Sequence, residues 1–272
     1  MIQRKNYLDD LISLKDKQLI KVVTGIRRCG KSTMFELYQE YLLNNGVEQE
    51  QIISCNLEDG EYADISGHKA LYRLIADQLL TDKMNYIFLD EVQCVPDFQK
   101  AVDALFIRKN CDVYITGSNA FLLSGELATL LSGRYIEIRM LPLSFREFVS
   151  AHPEGSNIDR LYQNYIHNGS FPYTLQLTRP KDIRQYLESI YDSIVIKDII
   201  TRRRIADVNM LKSVARFLFD NIGNLCSTKK IADTMTSAGR KISVHTVENY
   251  LEALTESFIF YRVGRYDIKG KQ

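Results

Sequence analysis

Gly25, Gly30, Lys31 and Ser32 stand in the order G-x-x-x-x-G-K-S inside the stretch "TGIRRCGKST". Residues of those types at that spacing can hold a run of phosphates. The glycines let backbone N–H groups curl around anionic oxygens. The lysine can reach the outer phosphates, and the hydroxyl after it can ligate Mg²⁺. A second cluster lies in "YIFLDEVQ", where the apolar residues Tyr86, Ile87, Phe88 and Leu89 are followed by Asp90 and Glu91. A buried strand that ends in Asp brings a carboxylate near a divalent cation, usually through water. Glu91 projects differently and can orient and deprotonate an attacking water. In the third cluster, "TGSNA", Ser118 or Asn119 is expected to touch a terminal phosphate or that water, with Ser118 preferred. Cleaving a terminal phosphate spreads charge that a guanidinium can neutralise. The candidates are Arg134 in "LSGRY", Arg27 and Arg28 in the loop, and the run Arg202-Arg203-Arg204.

The expected site therefore has a lining, a metal pair and a catalytic set. Gly25, Ile26, Arg27, Arg28, Cys29, Gly30, Lys31, Ser32 and Thr33 line the phosphates. Ser32 and Asp90 hold the metal. Lys31, Glu91, Ser118 and Arg134 act on the reacting phosphate and water. Cys29 adds the expectation that a thiol at the loop makes binding sensitive to oxidation.

These residues need a scaffold that brings strand ends together. Short apolar runs at Leu19–Thr24, Ile52–Asn56, Tyr86–Leu89, Asp112–Thr116 and Arg134–Met140 read as buried strands. Helical patterns alternate with them. One carries Met34, Leu37, Tyr38, Tyr41 and Leu42 on a single face before Gly46. Another starts near Pro96 and carries Phe98, Val102, Leu105 and Phe106. Alternation of this kind predicts an α/β fold with a parallel sheet and helices on both faces. After Pro142 the pattern turns helical, through Leu161–His167, Ile183–Ile194 and Val208–Ile222. Helices at Ser227–Ala238 and Val244–Ser257, with a β-like run at Phe258–Val263, have the order of a winged helix. The wing would turn at Lys269-Gly270-Lys271, and the missing return strand predicts a truncated sequence. The expected domains are a core at 1–150, a helical lid at 151–223 and a winged helix at 224–272.

Composition excludes several classes. The chain is 45% hydrophobic and 25% charged, which is ordinary for a globular protein. A net charge of +1 supplies no global attraction to nucleic acid or anionic membrane. The odd set Cys29, Cys55, Cys94, Cys111 and Cys226 lacks any C-x-x-C pair, as expected for reduced thiols in a cytoplasmic protein. The charged amino terminus is unlike a signal peptide, and no uncharged apolar run is long enough to span a membrane.

The stretches "GIRRCGKST", "YIFLDEVQ", "YITGSNA", "LLSGRYIEIRMLPLSFREF" and "NGSFPY" together resemble a group of bacterial and archaeal AAA-type P-loop ATPases. The last two are the more specific, and the resemblance covers essentially the whole chain. It implies a sheet of order 5-1-4-3-2, with the third cluster's strand between those of the first two. It also implies a helical lid, a winged helix, and often a nuclease-like carboxyl-terminal domain, which is absent from this sequence. Ser170 stands where many members carry glycine. The implied ligands are ATP and Mg²⁺.

The leading expectation is Mg²⁺-dependent ATP hydrolysis that moves the lid and winged helix. The alternatives are an ATP-bound DNA-binding regulator, or a scaffold with little turnover. Lys229, Lys230, Arg240 and Lys241 could meet DNA phosphates, whereas Glu248, Glu252 and Glu256 on the second helix would repel them. A homo-oligomer is a further possible partner state, since a neighbour can supply an arginine.

Overall fold

The computed structural model describes residues 2–118, 131, 133–200 and 203–264. The chain divides into two compact units between Ile190 and Tyr191.

The first unit is built on a parallel five-stranded sheet of order β2-β3-β4-β1-β5. The strands are β1 (Ile20–Thr24), β2 (Ile52–Asn56), β3 (Asn85–Asp90), β4 (Cys111–Gly117) and β5 (Tyr135–Arg139). Each expected strand is present, in the expected order. β1 and β3 are buried along their whole length. A strand flanked on both faces by helices is covered on both, so neither shows the burial alternation of a half-exposed strand, although β1 carries Lys21 and β3 begins at Asn85 and ends at Asp90. Helices α1 (Lys5–Ser13), α2 (Lys31–Asn44), α3 (His68–Ala76) and α4 (Phe98–Phe106) flank the strands. The core gathers Val22, Ile87, Leu89, Ile115, Leu71, Val102 and Leu105. Phe88 stacks on Tyr114 with ring centroids 4.8 Å apart, and Phe35 meets Phe88 edge-on at 5.1 Å. Beyond β5 come α5 (Phe145–Ser150), α6 (Ile158–Asn168) and α7 (Pro180–Ser193), which runs through the division between the units.

The second unit contains a π-helical turn at Ile194–Ile200, then α8 (Val208–Asp220), α9 (Thr228–Ser237) and α10 (Val244–Glu256). Leu211, Val214, Ile231, Met235, Val247 and Leu254 close one apolar core between them. Serine N-caps open the last two helices: Ser227 accepts the N–H of Lys230, and Ser243 that of Thr246.

The β-like run at Phe258–Val263 is not a strand. Phe258 adopts a left-handed φ of 60° and its N–H donates to the Thr255 carbonyl, while the Ile259 N–H returns to Leu254. This is a helix-terminating Schellman turn with Phe in the place glycine usually takes. The N–H groups of Phe258, Ile259 and Phe260, which a ladder would need, are spent on helix carbonyls. The expected wing turn at 269–271 lies outside the described residues. No helix among the described residues is long and apolar enough to cross a membrane.

Candidate functional site

In a parallel sheet every loop leaving a strand's carboxyl end opens on the same edge. β1 pairs with β4 so that Thr24 lies opposite Gly117, and β3 pairs with β2 so that Asn56 lies opposite Asp90. The phosphate loop, Asp90, Glu91 and Ser118 therefore share one edge.

The loop's conformation follows from its glycines. Gly25 has φ 151°, and a Cβ placed there would stand 2.2 Å from the Met140 carbonyl oxygen. That carbonyl cannot retreat easily, because the Met140 N–H donates to the Thr24 carbonyl at 2.7 Å. Gly25→Ala is expected to destabilise the unit by at least about 2 kcal/mol, combining a strained φ with a backbone clash. An unchanged denaturant midpoint would refute this. Gly30 has φ 103° and is the N-cap of α2. Having no side chain, it leaves the first N–H groups of α2 without a side-chain cap. Serines cap α5, α9 and α10, whereas α1, α3 and α4 share with α2 the lack of a side-chain cap, and α3 too starts on a glycine, Gly67. A helix start kept free of its own cap, at the end of a glycine loop, suits an anion.

Lys31 is 4% exposed, and its Nζ donates to the Gly25 carbonyl at 3.0 Å. The same nitrogen stands 3.6 Å from Glu91 Oε1, so the two clusters separated in sequence meet here. Ser32 is exposed in the first turn of α2. Asp90 is buried and accepts a hydrogen bond from the Thr116 hydroxyl. Thr116 also accepts the Glu91 N–H at 2.9 Å. Glu91 takes a left-handed φ of 52°, and this turns its side chain away from the line of the strand. One hydroxyl thus holds both acidic residues. The sequence reading missed Thr116, although it stands two residues before the Ser118 that was selected. Gln93 was missed as well: its Nε2 donates to Glu91 Oε2 and lies 3.5 Å from the Ser118 hydroxyl. Ser118 is buried beside it, and Asn119 lies outside the described residues.

The arginines separate. Arg134 precedes β5 and sits at the level of Ile20, whose N–H donates to the Arg134 carbonyl at 2.8 Å. At ~3.3 Å per residue this is roughly 13 Å upstream of the loop, on the opposite edge of the sheet. Its guanidinium pairs with Asp103 over the Phe106 ring. The expectation that Arg134 serves the reacting phosphate is therefore corrected within one chain: the residue before a parallel strand lies at the wrong end. Arg203 pairs with Glu252 and Glu256 inside the second unit, and Arg202 lies outside the described residues. Arg27 pairs with Glu58 at 3.3 Å. Arg28 is exposed at the loop, with a left-handed φ of 64°.

Arg4 was not anticipated at all. It is 5% exposed, and Nη1 donates to the Cys29 carbonyl at 2.9 Å, which braces the back of the loop. Nη2 donates to the Leu141 carbonyl at 2.7 Å, and Nε to Glu147 at 3.0 Å. Burial pushes the Glu147 carboxyl up, but hydrogen bonds from Arg4 and the Ser144 backbone outweigh it and hold the group below its ordinary value. Glu147 is also one half of the capping box of α5, so one carboxylate ties a helix start to the loop. The stretch "NGSFPY" comes to the same place. The Ser170 carbonyl accepts the Leu143 N–H at 2.7 Å, and Pro172 Cγ lies 3.8 Å from where a Gly30 Cβ would stand.

Cys29 is fully buried beneath the loop, and desolvation pushes its thiol above the usual range. A buried neutral thiol is a poor nucleophile, so the expected oxidation sensitivity is not supported.

Comparison with known proteins adds to this geometry. A family described as an AAA domain matches residues 17–149, and a domain of unknown function (DUF8612) matches residues 159–271. An uncharacterized protein of Haemophilus influenzae is 44% identical over 275 residues, covering 100% of this chain and 68% of its own length. The uncharacterized protein MJ1544 of Methanocaldococcus jannaschii is 28% identical over 266 residues, covering 93% of this chain and 58% of its own length. Among solved structures, the Walker-type ATPase PABY2304 of Pyrococcus abyssi aligns with a TM-score of 0.61 at 13% identity, over 94% of this chain and 90% of that one. At that identity the likeness concerns the fold alone.

Proposed function

Since the chain belongs to the AAA-type P-loop ATPase family, we propose that it binds ATP with Mg²⁺ and hydrolyses it at the carboxyl edge of its sheet. The observation that carries this reading is the meeting of Lys31 and Glu91, 3.6 Å apart, beside a helix start capped by glycine. The loop N–H groups and Lys31 bind and orient the phosphates. Ser32 and Asp90 would hold Mg²⁺, which when bound neutralises phosphate charge. Glu91 would accept a proton from the attacking water, and Ser118, buried beside Gln93, would sense the terminal phosphate.

We further read the segment after β5 as nucleotide-responsive. Pro172 and Arg4 both rest against the loop's last turn, so a change in the loop is felt by α5 and the Ser170–Pro172 segment. A second reading, a DNA-binding regulator with little turnover, draws on Lys229 and Lys230, which line an open groove of about 490 Å³ along α9.

The test is Mg²⁺-dependent phosphate release by the purified chain, with and without duplex DNA. Lys31→Ala is expected to weaken ATP binding by about 10–100-fold or more, the value of a charged hydrogen bond to phosphate. Undiminished ATP affinity in that variant would sink the loop assignment.

A further inference from the structure

Gln93 closes the catalytic edge between Glu91 and Ser118, and one of its atoms has no use in the arrangement described so far. Its Nε2 is committed to the Glu91 carboxylate. Its Oε1 is buried and has no hydrogen-bond partner among the described residues. The orientation of the amide is fixed by chemistry. Reversing it would press a carbonyl against a carboxylate, setting two acceptors face to face. Burying an amide carbonyl unpaired is costly, so such a group in a site calls for a donor that arrives with the ligand.

Of the neighbouring acceptors, Asp90 is committed and Glu91 serves as the base. Asp90 takes the Thr116 hydroxyl, and Glu91 Oε1 faces Lys31. A water attacking phosphorus has two hydrogens to place. One goes to the base, and the other needs a second acceptor nearby if the oxygen lone pair is to point at the phosphorus.

We propose that Gln93 is a catalytic residue of the hydrolysis: its side-chain carbonyl accepts one hydrogen of the attacking water while its amide holds Glu91 to receive the other. This rests on the ATP-hydrolysis reading above. In the step, the water oxygen bonds to the γ-phosphorus. The bond from that phosphorus to the β–γ bridging oxygen breaks, and its electron pair leaves on ADP. One water proton passes to Glu91, and the other stays on the new phosphate, directed at Gln93 Oε1. The products are ADP and inorganic phosphate, with the proton on Glu91 returned to solvent. The positioning amide and the base are fixed together, because Glu91 is itself anchored through its N–H to Thr116. A side chain that orients the attacking water is a recurring requirement of phosphoryl transfer to water.

The experiment compares the parent chain with Gln93→Ala, Gln93→Met, Glu91→Gln and the double variant Glu91→Gln/Gln93→Ala. Steady-state and single-turnover phosphate release are measured alongside melting temperature. Gln93→Met keeps the length and burial of the side chain, so a packing role would survive it. Both Gln93 variants are expected to lose about 10²-fold in kcat with KM for ATP within about twofold and an unchanged melting temperature. Because both residues act on one water, the double variant should lose far less than the product of the single losses. A kcat within about threefold of the parent in Gln93→Met, or fully multiplicative losses, overturns the role of Gln93 while leaving the ATPase reading intact. No turnover by the parent above Lys31→Ala overturns both.

Discussion

Glu91→Gln is expected to lower ATP turnover by about 10²–10³-fold while ATP affinity stays equal to that of the parent or becomes tighter. The substitution keeps the side chain's size and its capacity to accept from Gln93. It also leaves the left-handed backbone at this position alone, since the Glu91 N–H to Thr116 is a main-chain bond. What it removes is one negative charge and the ability to take a proton. The charge lies 3.6 Å from Lys31 on the edge where the phosphates would bind, so removing it relieves repulsion toward ATP. Turnover should thus fall with no loss of binding, which a general loss of folding cannot imitate. The check is single-turnover phosphate release beside equilibrium binding of a fluorescent ATP analogue. Equal turnover in the variant would remove Glu91 as the base.

Much of the scaffold was legible because parallel strands buried on both faces must be apolar runs. The five runs chosen from the sequence lie on the five strands, displaced by a residue or so at their ends. The positions of the glycine loop after β1 and of Asp90-Glu91 at the end of β3 were legible because they follow from local order: strand, then turn, then helix. The residues that join them were not. Thr116 is an ordinary strand threonine until β3 and β4 are paired, and only that pairing sets its hydroxyl against Asp90. Gln93 reads as a turn residue until the short helical turn after Glu91 folds it back. Arg4 lies 25 positions from Cys29 and 143 from Glu147, and nothing in its neighbours marks it as buried.

Arg134 shows what strand direction decides within one chain. The stretch "LSGRY" was correctly placed at a strand start, but in a parallel sheet a strand start lies on the edge away from the chemistry. The sequence already held the information to exclude it within one chain. Of the two loop arginines, Arg28 is the exposed one. Arg27 pairs with Glu58, whereas Arg28 stands at the loop surface, near enough to Tyr186 to influence that phenol.

Lys21→Met is expected to destabilise the first unit by about 3–5 kcal/mol, the cost of leaving a buried charge without its partner. Lys21 is the second residue of β1 and is wholly buried, and Asp112 on the neighbouring β4 is buried as well. Their side chains form an ion pair, with Lys21 Nζ also donating to the Lys17 carbonyl at 2.7 Å and lying 5.1 Å from the centre of the Tyr114 ring. Burial drives both groups toward neutrality, lowering the lysine and raising the carboxyl, and each partner's charge opposes that shift in the other. Asp112 has further donors in the Tyr114 hydroxyl at 2.7 Å and the Asp16 N–H at 2.9 Å. Removing Lys21 alone leaves a carboxylate in the core with neutral donors only. Lys21→Met/Asp112→Asn removes both charges and keeps an acceptor for Tyr114 and Asp16, so it should recover most of the loss. The measurement is denaturant unfolding of the parent and the two variants. A double variant no more stable than Lys21→Met would show that the damage comes from packing rather than from the stranded charge. The network's place explains why β1 tolerates a lysine: the strand must present the phosphate loop in one register, and a pair joining Lys21 to β4 is lost if β1 slips by a single residue.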